Sequence, residues 1–361
     1  MESLQESDRR WMQRAMALAC QGIGYTAPNP MVGAVVVHSG DAVGEGFHPK
    51  AGEPHAEVFA LAEAGDRARG ATLYVNLEPC NHHGRTPPCS EAVIRAGIRR
   101  VVVGMVDPDP RVAGGGIDRL REAGIDVTVG VEQAACEKLN EAFVHRIRHG
   151  RPFGIFKYAM TLDGKIATPT GHSAWVSGPK SRSQVHQLRS ECDAVIIGGN
   201  TVRQDNPLLT SHGVGSRNPL RVVMSRGLAL PLDAQLWQTS VAPTIVLTEA
   251  PPDNPTARAL TDLKVAVVSL PKLTPRSAVA YLYQQGLSTV LWECGGTLAA
   301  SAIAEGTVQK IVAFIAPKLI GGTAAPTPIG DMGLTHMGKA FKLDSKTWTQ
   351  VGDDLKIEGY L

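Results

Sequence analysis

The sequence predicts an α/β protein built as two domains that meet near residue 150. Three observations carry this. At 361 residues the chain exceeds what one core usually serves, and its 43% hydrophobic and 19% charged residues fit a folded, soluble enzyme. Helix and strand patterns alternate along both halves. Between them the basic stretch RHGRPF, around His149 to Phe153, holds a glycine and a proline and reads as a connector. The expected domains are residues 1–149 and 150–361.

Taken in order, Trp11 to Cys20 has the spacing of an amphipathic helix and leads into the turn-rich GYTAPNP. MVGAVVV follows as a buried strand rich in β-branched residues. EPHAEVFALAEAG reads as a helix apolar almost all round, hence buried, and ATLYVNLEPC as a strand ending at Cys80. IRAGIRRVVVG and LREAGIDVTVG repeat one theme, a helix stopping at Gly97 or Gly124 and an isoleucine leading into a strand. Helix-then-strand units of this kind predict parallel strands in a three-layer domain. After the connector the alternation restarts. FGIFKYAM, DAVIIGG, LRVVMS, PTIVLTE, KVAVVSL, LSTVLWECGG and KIVAFIAPKLIGG read as strands, and PKSRSQVHQLRSE, SAVAYLYQQG and TLAASAIAEG as helices.

A net charge of +2 leaves no footprint for a polynucleotide, whose binding draws on clustered Lys and Arg. A small-molecule substrate is expected, without nucleic acid or membrane as partner, and the chain is expected to form a homo-oligomer. Cys20, Cys80, Cys89, Cys136, Cys192 and Cys294 are scattered rather than dense, unlike a secreted disulfide scaffold. No apolar run reaches the roughly 18 residues of a membrane helix. The N-terminus has acidic residues and helical periodicity instead of a signal peptide's basic and apolar regions. A cytoplasmic protein is expected.

NLEPCNHHGRTPPC, residues 76–89, invites a local metal cluster of Cys80, His82, His83 and Cys89. Catalytic zinc, however, takes three protein ligands and leaves a position for water. Zinc deaminases draw those ligands from His-x-Glu at one helix start and Pro-Cys…Cys at another, with the Glu moving protons. His55-Ala56-Glu57, Pro79-Cys80 and Cys89 answer that pattern in that order. His55, Cys80 and Cys89 are therefore the expected zinc ligands and Glu57 the catalytic residue. Cys89 is expected in the first turn of a helix capped by Thr86 and entered through Pro87-Pro88, where free N–H groups favour a thiolate. His82 and His83 are left for substrate or solvent.

The eight-residue insert NHHGRTPP between the cysteines, with PNPMVGAVVV and GFHPKAGEPHAE, makes the chain resemble the bifunctional deaminase/reductase family of riboflavin biosynthesis over essentially its whole length. The resemblance implies a cytidine-deaminase-like first domain. It also implies that Asn29, His48 and Arg85 hold the aminopyrimidine and its ribose phosphate; on their own they could be a turn residue, a surface histidine and a solvated charge. The implied first reaction is zinc-dependent hydrolytic loss of ammonia from a diaminopyrimidinone ribosylamine phosphate, with Glu57 as proton carrier.

The second half has no G-x-G-x-x-G between strand and helix, and AGGGID at 113–118 reads as a first-domain loop unconnected with nucleotide. In ECGGTLAAS a strand meets glycines and a helix start, which offers N–H groups to a phosphate. FKYAMTLDGKIA, GHSAWVSG, NTVRQDNPLL and APKLIGG resemble the family's reductase domain, implying a dihydrofolate-reductase-like α/β fold and NADPH. By that resemblance Ala159, Trp175, Thr201, Asp205, Gly295 and Gly296 fall at cofactor positions. Lys157, Ser173, Arg189, Leu209 and Glu293 are assigned to the reductase substrate, and the implied reaction is hydride transfer to C1 of the opened ribosyl imine. Two positions depart from the family pattern: His212 stands where an arginine is frequent, and Ser225 where an aspartate is. The alternatives are a deaminase whose second half is a non-catalytic scaffold, and a structural zinc module using His82 or His83 as fourth ligand.

Overall fold

Ser3 opens the folded chain with a reciprocal cap. Its hydroxyl accepts from the Glu6 N–H while the Glu6 carboxylate accepts from the Ser3 N–H. Helix α1 (Leu4–Ala19) therefore begins well ahead of Trp11 and ends before Cys20. The computed structural model describes residues 3–82 and 87–361. The chain divides into two units, Met1–Gly150 and Arg151–Leu361.

In the first unit α1 is followed by β1 (Gly33–His38), β2 (Asp41–Phe47), α2 (Ala56–Ala64), β3 (Thr72–Leu77), α3 (Cys89–Arg95), β4 (Arg100–Met105), α4 (Gly115–Glu122), β5 (Asp126–Val129), α5 (Gln133–Leu139) and α6 (Glu141–His149). The sheet order is β2-β1-β3-β4-β5. The helix-then-strand units give the expected parallel pairs β3–β4 and β4–β5, whereas β1 runs antiparallel to both neighbours. Strand β2 is not visible in the sequence pattern, because Gly44 and Gly46 stand where apolar side chains would mark a strand. A Cβ at either position would overlap the α2 backbone, at Ala60 and Ala56. Helix α2 thus lies directly on β2. It is not buried all round as its composition predicts: it buries Ala56, Glu57, Ala60 and Ala64 and leaves Phe59 39% exposed. The core joins Met12 and Ala15 of α1 to Val35, Leu73, Val75, Val102 and Leu120.

The second unit contains β6 (Phe153–Thr161), α7 (Pro179–Glu191), β7 (Ala194–Gly198), α8 (Gly199–Asp205), β8 (Leu220–Met224), β9 (Thr244–Thr248), α9 (Pro255–Asp262), β10 (Ala266–Ser269), α10 (Pro275–Gln284), β11 (Thr289–Trp292), α11 (Gly296–Ala304), β12 (Lys310–Ala316), β13 (Asp344–Val351) and β14 (Asp354–Tyr360). Its nine strands are ordered β10-β9-β8-β7-β11-β6-β12-β14-β13. Seven neighbouring strands from β10 to β12 run parallel, and the β13–β14 hairpin closes the far edge antiparallel. Strand β11 enters the sheet between β7 and β6, out of chain order, so the connections on either side of it diverge. The carboxyl ends of parallel strands at such a reversal are where open α/β sheets bind ligands.

Candidate active sites

The first site is built where α2 and α3 begin and β3 has just ended. Seating of α2 on the glycines of β2 sets His55 at its N-cap and Glu57 in its first turn. His55 Nδ1 lies 3.3 Å from Cys89 Sγ and 3.5 Å from Cys80 Sγ. The three ligand atoms lie within 4.8 Å of one another, the sole such group among the described residues. Helix α3 starts at Cys89 with Pro88 as its N-cap, later than the Pro87-Pro88 pattern predicts. Proline offers no capping side chain, and the Cys89 N–H instead donates to Cys80 Sγ at 3.4 Å. The Ser90 N–H to Cys80 carbonyl bond, 3.1 Å, stitches the two ligand segments together.

The two thiols shift each other's titration in opposite directions. A hydrogen bond from Cys89, opposed by burial and helped by His55, holds Cys80 far down, at about 4. Cys89 is pushed well up, first by that same bond and then by burial. Cys80 and Cys89 as thiolates and His55 as a neutral imidazole would hold a divalent cation with a donor set suited to zinc. Glu57 is 3% exposed, and its Oε2 is a buried oxygen without a hydrogen-bond partner. Burial raises this carboxyl to about 7 while His55 pulls it down. The donor set and the orphaned oxygen beside it fit a catalytic zinc site with an associated proton carrier.

His48, 2% exposed, presents its ring edge-on to His55 with centroids 5.5 Å apart. Its Nε2 meets Asn29 Nδ2 at 3.1 Å and its Nδ1 the Pro54 carbonyl at 3.0 Å. Burial lowers its pKa. Asn29 and His48 are thus brought together beside the metal group. His82 is exposed and outside that group. His83, Arg85 and Thr86 lie outside the described residues.

A residue without a sequence signal of its own anchors this site. Glu78 is 4% exposed, and its carboxylate accepts from the N–H groups of Asp107, Gly114, Gly116 and Ile117 at 2.9–3.2 Å. Gly114 to Ile117 come from AGGGID, which is not the loop its composition predicts but the N-terminal turn of α4. The anion received there is the chain's own glutamate. A Cβ at Gly116 would overlap the Pro79 carbonyl oxygen, so only glycine lets α4 close on the segment leading to Cys80.

In the second unit Lys157 of β6, Arg189 of α7 and Glu293 after β11 converge. Arg189 Nε and Nη2 donate to the two Glu293 oxygens at 2.6 and 3.0 Å, and Lys157 Nζ reaches Oε2 at 3.4 Å. Burial depresses the Lys157 ammonium against the pull of Glu293. Arg189 also donates to the Thr210 carbonyl at 3.0 Å, tying the triad to the loop of Leu209. Leu209 is 3% exposed, so its side chain is packed away. The His212 ring stacks on His186 with centroids 4.3 Å apart. Burial and then His212 push His186 down to about 4, and burial then Arg189 lower His212, both shifts favouring the uncharged ring. Ser225 is buried, and a Cβ at Gly199 would lie 3.1 Å from its Oγ, so a larger residue there would crowd the start of α8.

Ser173 Oγ donates to Asp205 Oδ1 at 3.4 Å, and burial raises Asp205. Trp175 is 69% exposed with Arg182 over its ring at 4.5 Å. Thr201 lies on α8, and Ala159 pairs with Phe314 across β6 and β12. Gly295 is the N-cap of α11 and a Cβ there would meet open space, while Gly296 is closed against Thr327 and Gly330. An open glycine at the start of a nine-residue helix suits a dinucleotide's phosphates, and the exposed indole offers a face for stacking.

Comparison with known proteins bears on both units. The profile described as the cytidine and deoxycytidylate deaminase zinc-binding region matches residues 5–105, and that of the RibD C-terminal domain matches residues 152–357. The chain is 62% identical to the riboflavin biosynthesis protein RibD of Synechocystis, over 98% of this chain and 96% of that one. With the RibD of Aquifex aeolicus it shares 44% identity over 98% of each. Among solved structures, RibD of Acinetobacter baumannii is similar at 36% identity and a TM-score of 0.89, covering 99% of both chains. A diaminohydroxyphosphoribosylaminopyrimidine deaminase/5-amino-6-(5-phosphoribosylamino)uracil reductase from Thermotoga maritima is similar at 35% identity and a TM-score of 0.89, again covering 99% of both.

Proposed function

The chain belongs to the bifunctional RibD family of riboflavin biosynthesis, and from that premise we propose which of its residues carry each of the two reactions. It is a zinc-dependent deaminase joined to an NADPH-dependent reductase. The first step is hydrolytic deamination of 2,5-diamino-6-(5-phosphoribosylamino)pyrimidin-4(3H)-one. The second reduces the ribosyl group of 5-amino-6-(5-phosphoribosylamino)uracil to ribityl. We assign the chemistries to residues 1–149 and 150–361. The compact units and the two matched regions support that division.

For deamination, His55, Cys80 and Cys89 hold the metal and Glu57 carries protons. Zinc when bound acts as a Lewis acid that brings the pKa of water to about 7. Glu57 takes one proton from the attacking water and gives it to the ring nitrogen, then carries the second, from the hydroxyl left on the ring carbon, to the amine that departs as ammonia. Its buried, unpartnered oxygen is free for that traffic, and burial keeps its pKa near neutrality. Asn29 and His48, with Arg85, orient the pyrimidine and its ribose phosphate. For reduction, Ala159, Trp175, Thr201, Asp205, Gly295 and Gly296 hold NADPH, which supplies the hydride. Lys157, Ser173, Arg189, Leu209 and Glu293 hold the opened ribosyl chain, with Leu209 offering backbone. The intact Lys157–Glu293–Arg189 cluster supports a working reductase over a degenerate scaffold. The shifts at His186 and His212 disfavour their charged forms, which leaves Arg189 and Lys157 as the cations of that site. The six cysteines, free of disulfides, support a reducing, cytoplasmic setting. Exposed Met337, Phe341 and Trp348 support assembly into a homo-oligomer, which sedimentation equilibrium would test.

The observation that carries the deaminase assignment is the convergence of His55, Cys80 and Cys89 beside a buried carboxyl. Elemental analysis should find one zinc per chain, lost in Cys80→Ser and Cys89→Ser and retained in His82→Ala and His83→Ala. Loss of zinc from either histidine variant would restore the local cluster and remove His55 from the set.

A further inference from the structure

Two buried asparagines close on a single residue of the segment that carries Asn29. Asn76 in β3 is fully buried, and Asn140 between α5 and α6 is 2% exposed. Asn140 Nδ2 and Asn76 Nδ2 both donate to the Met31 carbonyl, at 2.9 and 3.0 Å. Asn140 Oδ1 accepts from the Met31 N–H and Asn76 Oδ1 from the Gly33 N–H, each at 2.8 Å. The backbone of one loop residue is thus held on both its polar groups by side chains 45 and 109 positions away.

Asn140 makes these bonds instead of capping its own helix. It stands at the N-cap of α6, where an asparagine ordinarily accepts from the second or third N–H of the helix. Helix α6 has no such side-chain cap. From Met31 the constraint passes to Asn29 through Pro30, whose ring fixes φ. The Asn29 N–H donates to the Thr26 carbonyl at 2.7 Å and the His48 N–H to the Val32 carbonyl at 2.8 Å. With the 3.1 Å contact between their side chains, Asn29 and His48 both hang on residues 29–32.

We propose that Asn140 and Asn76 are positioning residues of the deaminase substrate site, clasping the 29–33 segment so that Asn29 and His48 are set before the pyrimidine arrives. This rests on the reading of Asn29 and His48 as substrate-binding residues. A segment held in place has no ordering to undergo on binding, so the clasp acts on substrate affinity and leaves the chemical step alone.

The test uses the full-length, zinc-loaded enzyme and steady-state ammonia release. It compares Asn29→Ala, Asn140→Leu, Asn76→Thr and the double variant Asn29→Ala/Asn140→Leu. Zinc content and NADPH-dependent reduction of supplied deaminated substrate are read on each. Leucine keeps the branching of Asn140 without its hydrogen bonds, and threonine at position 76 suits a strand while keeping one polar group. Each single variant should raise KM by roughly tenfold with kcat, zinc and reduction unchanged, and the double should fall well short of the product of the two single effects, the remainder being what the clasp does through His48. Normal KM in both clasp variants, with Asn29→Ala impaired, would overturn the proposal and leave the substrate reading standing. So would effects that multiply in the double variant or fall on kcat, and so would loss of zinc from both, which would make these core residues only. A normal KM in Asn29→Ala would remove the substrate reading and the proposal together.

Discussion

Glu293 shows how one carboxylate can hold a site together. Burial alone would raise its pKa, but Arg189 and then Lys157 outweigh that and hold it at about 2. An unfolded glutamate titrates near about 4.3. Its depressed folded value therefore contributes stability that is complete above about pH 5 and fades as the pH falls toward about 2. Glu293→Gln leaves two buried cations facing an amide, and the unfolding free energy should drop by about 3 kcal/mol at neutral pH. Denaturant titrations should show the gap to wild type narrowing as the pH falls from about 5 to about 3. A constant gap would mean that the cations do not rest on the carboxylate. Residues whose chemistry is local were legible: His55, Glu57, Cys80 and Cys89 announce themselves through type and spacing. Lys157, Arg189 and Glu293 were legible only by resemblance, since folding brings Lys157 and Glu293 together across 136 positions. Asn140 gave no sign, because its partner Met31 lies 109 positions away along the chain.

At the scale of elements, close backbone approach decides what the sequence pattern hides. Strand β2 escapes detection because its inner positions, Gly44 and Gly46, are emptied for α2. The β13–β14 hairpin escapes because all but the last residue of β13 are exposed, which removes the alternation that marks a half-buried strand. The AGGGID run belongs to the same class: its glycines let α4 reach Pro79 and receive Glu78. Gly116→Ala should push α4 off the Cys80 segment and weaken zinc binding by roughly tenfold to hundredfold, as loss of outer-shell support does. Competition with a chelator reads this directly. Unchanged affinity would show that the contact of α4 with Pro79 does not position Cys80. The parallel strands and the helices that were read were legible from periodicity and helix-ending glycines, since both depend on local geometry, whereas α5, α6, α8 and α9 went unread.

At the scale of the molecule, each of the two folded units carries the residues assigned to one of the two chemistries. Those assigned to deamination fall between Asn29 and Cys89, and those assigned to reduction between Lys157 and Gly296. Zinc-dependent hydrolysis needs no hydride, and hydride transfer needs no zinc. Asp205→Ala should therefore impair NADPH oxidation while ammonia release continues at the wild-type rate. A parallel loss of ammonia release would tie the two sites together. The independence of the two chemistries meets its most direct test in Glu57→Gln, which keeps the shape and the zinc but removes the proton carrier. Measured on one preparation, ammonia release from the diaminopyrimidinone should fall by about 10²-fold or more, with zinc content and NADPH oxidation on supplied deaminated intermediate unchanged. Near-normal ammonia release, or NADPH oxidation falling in step with it, would contradict the account.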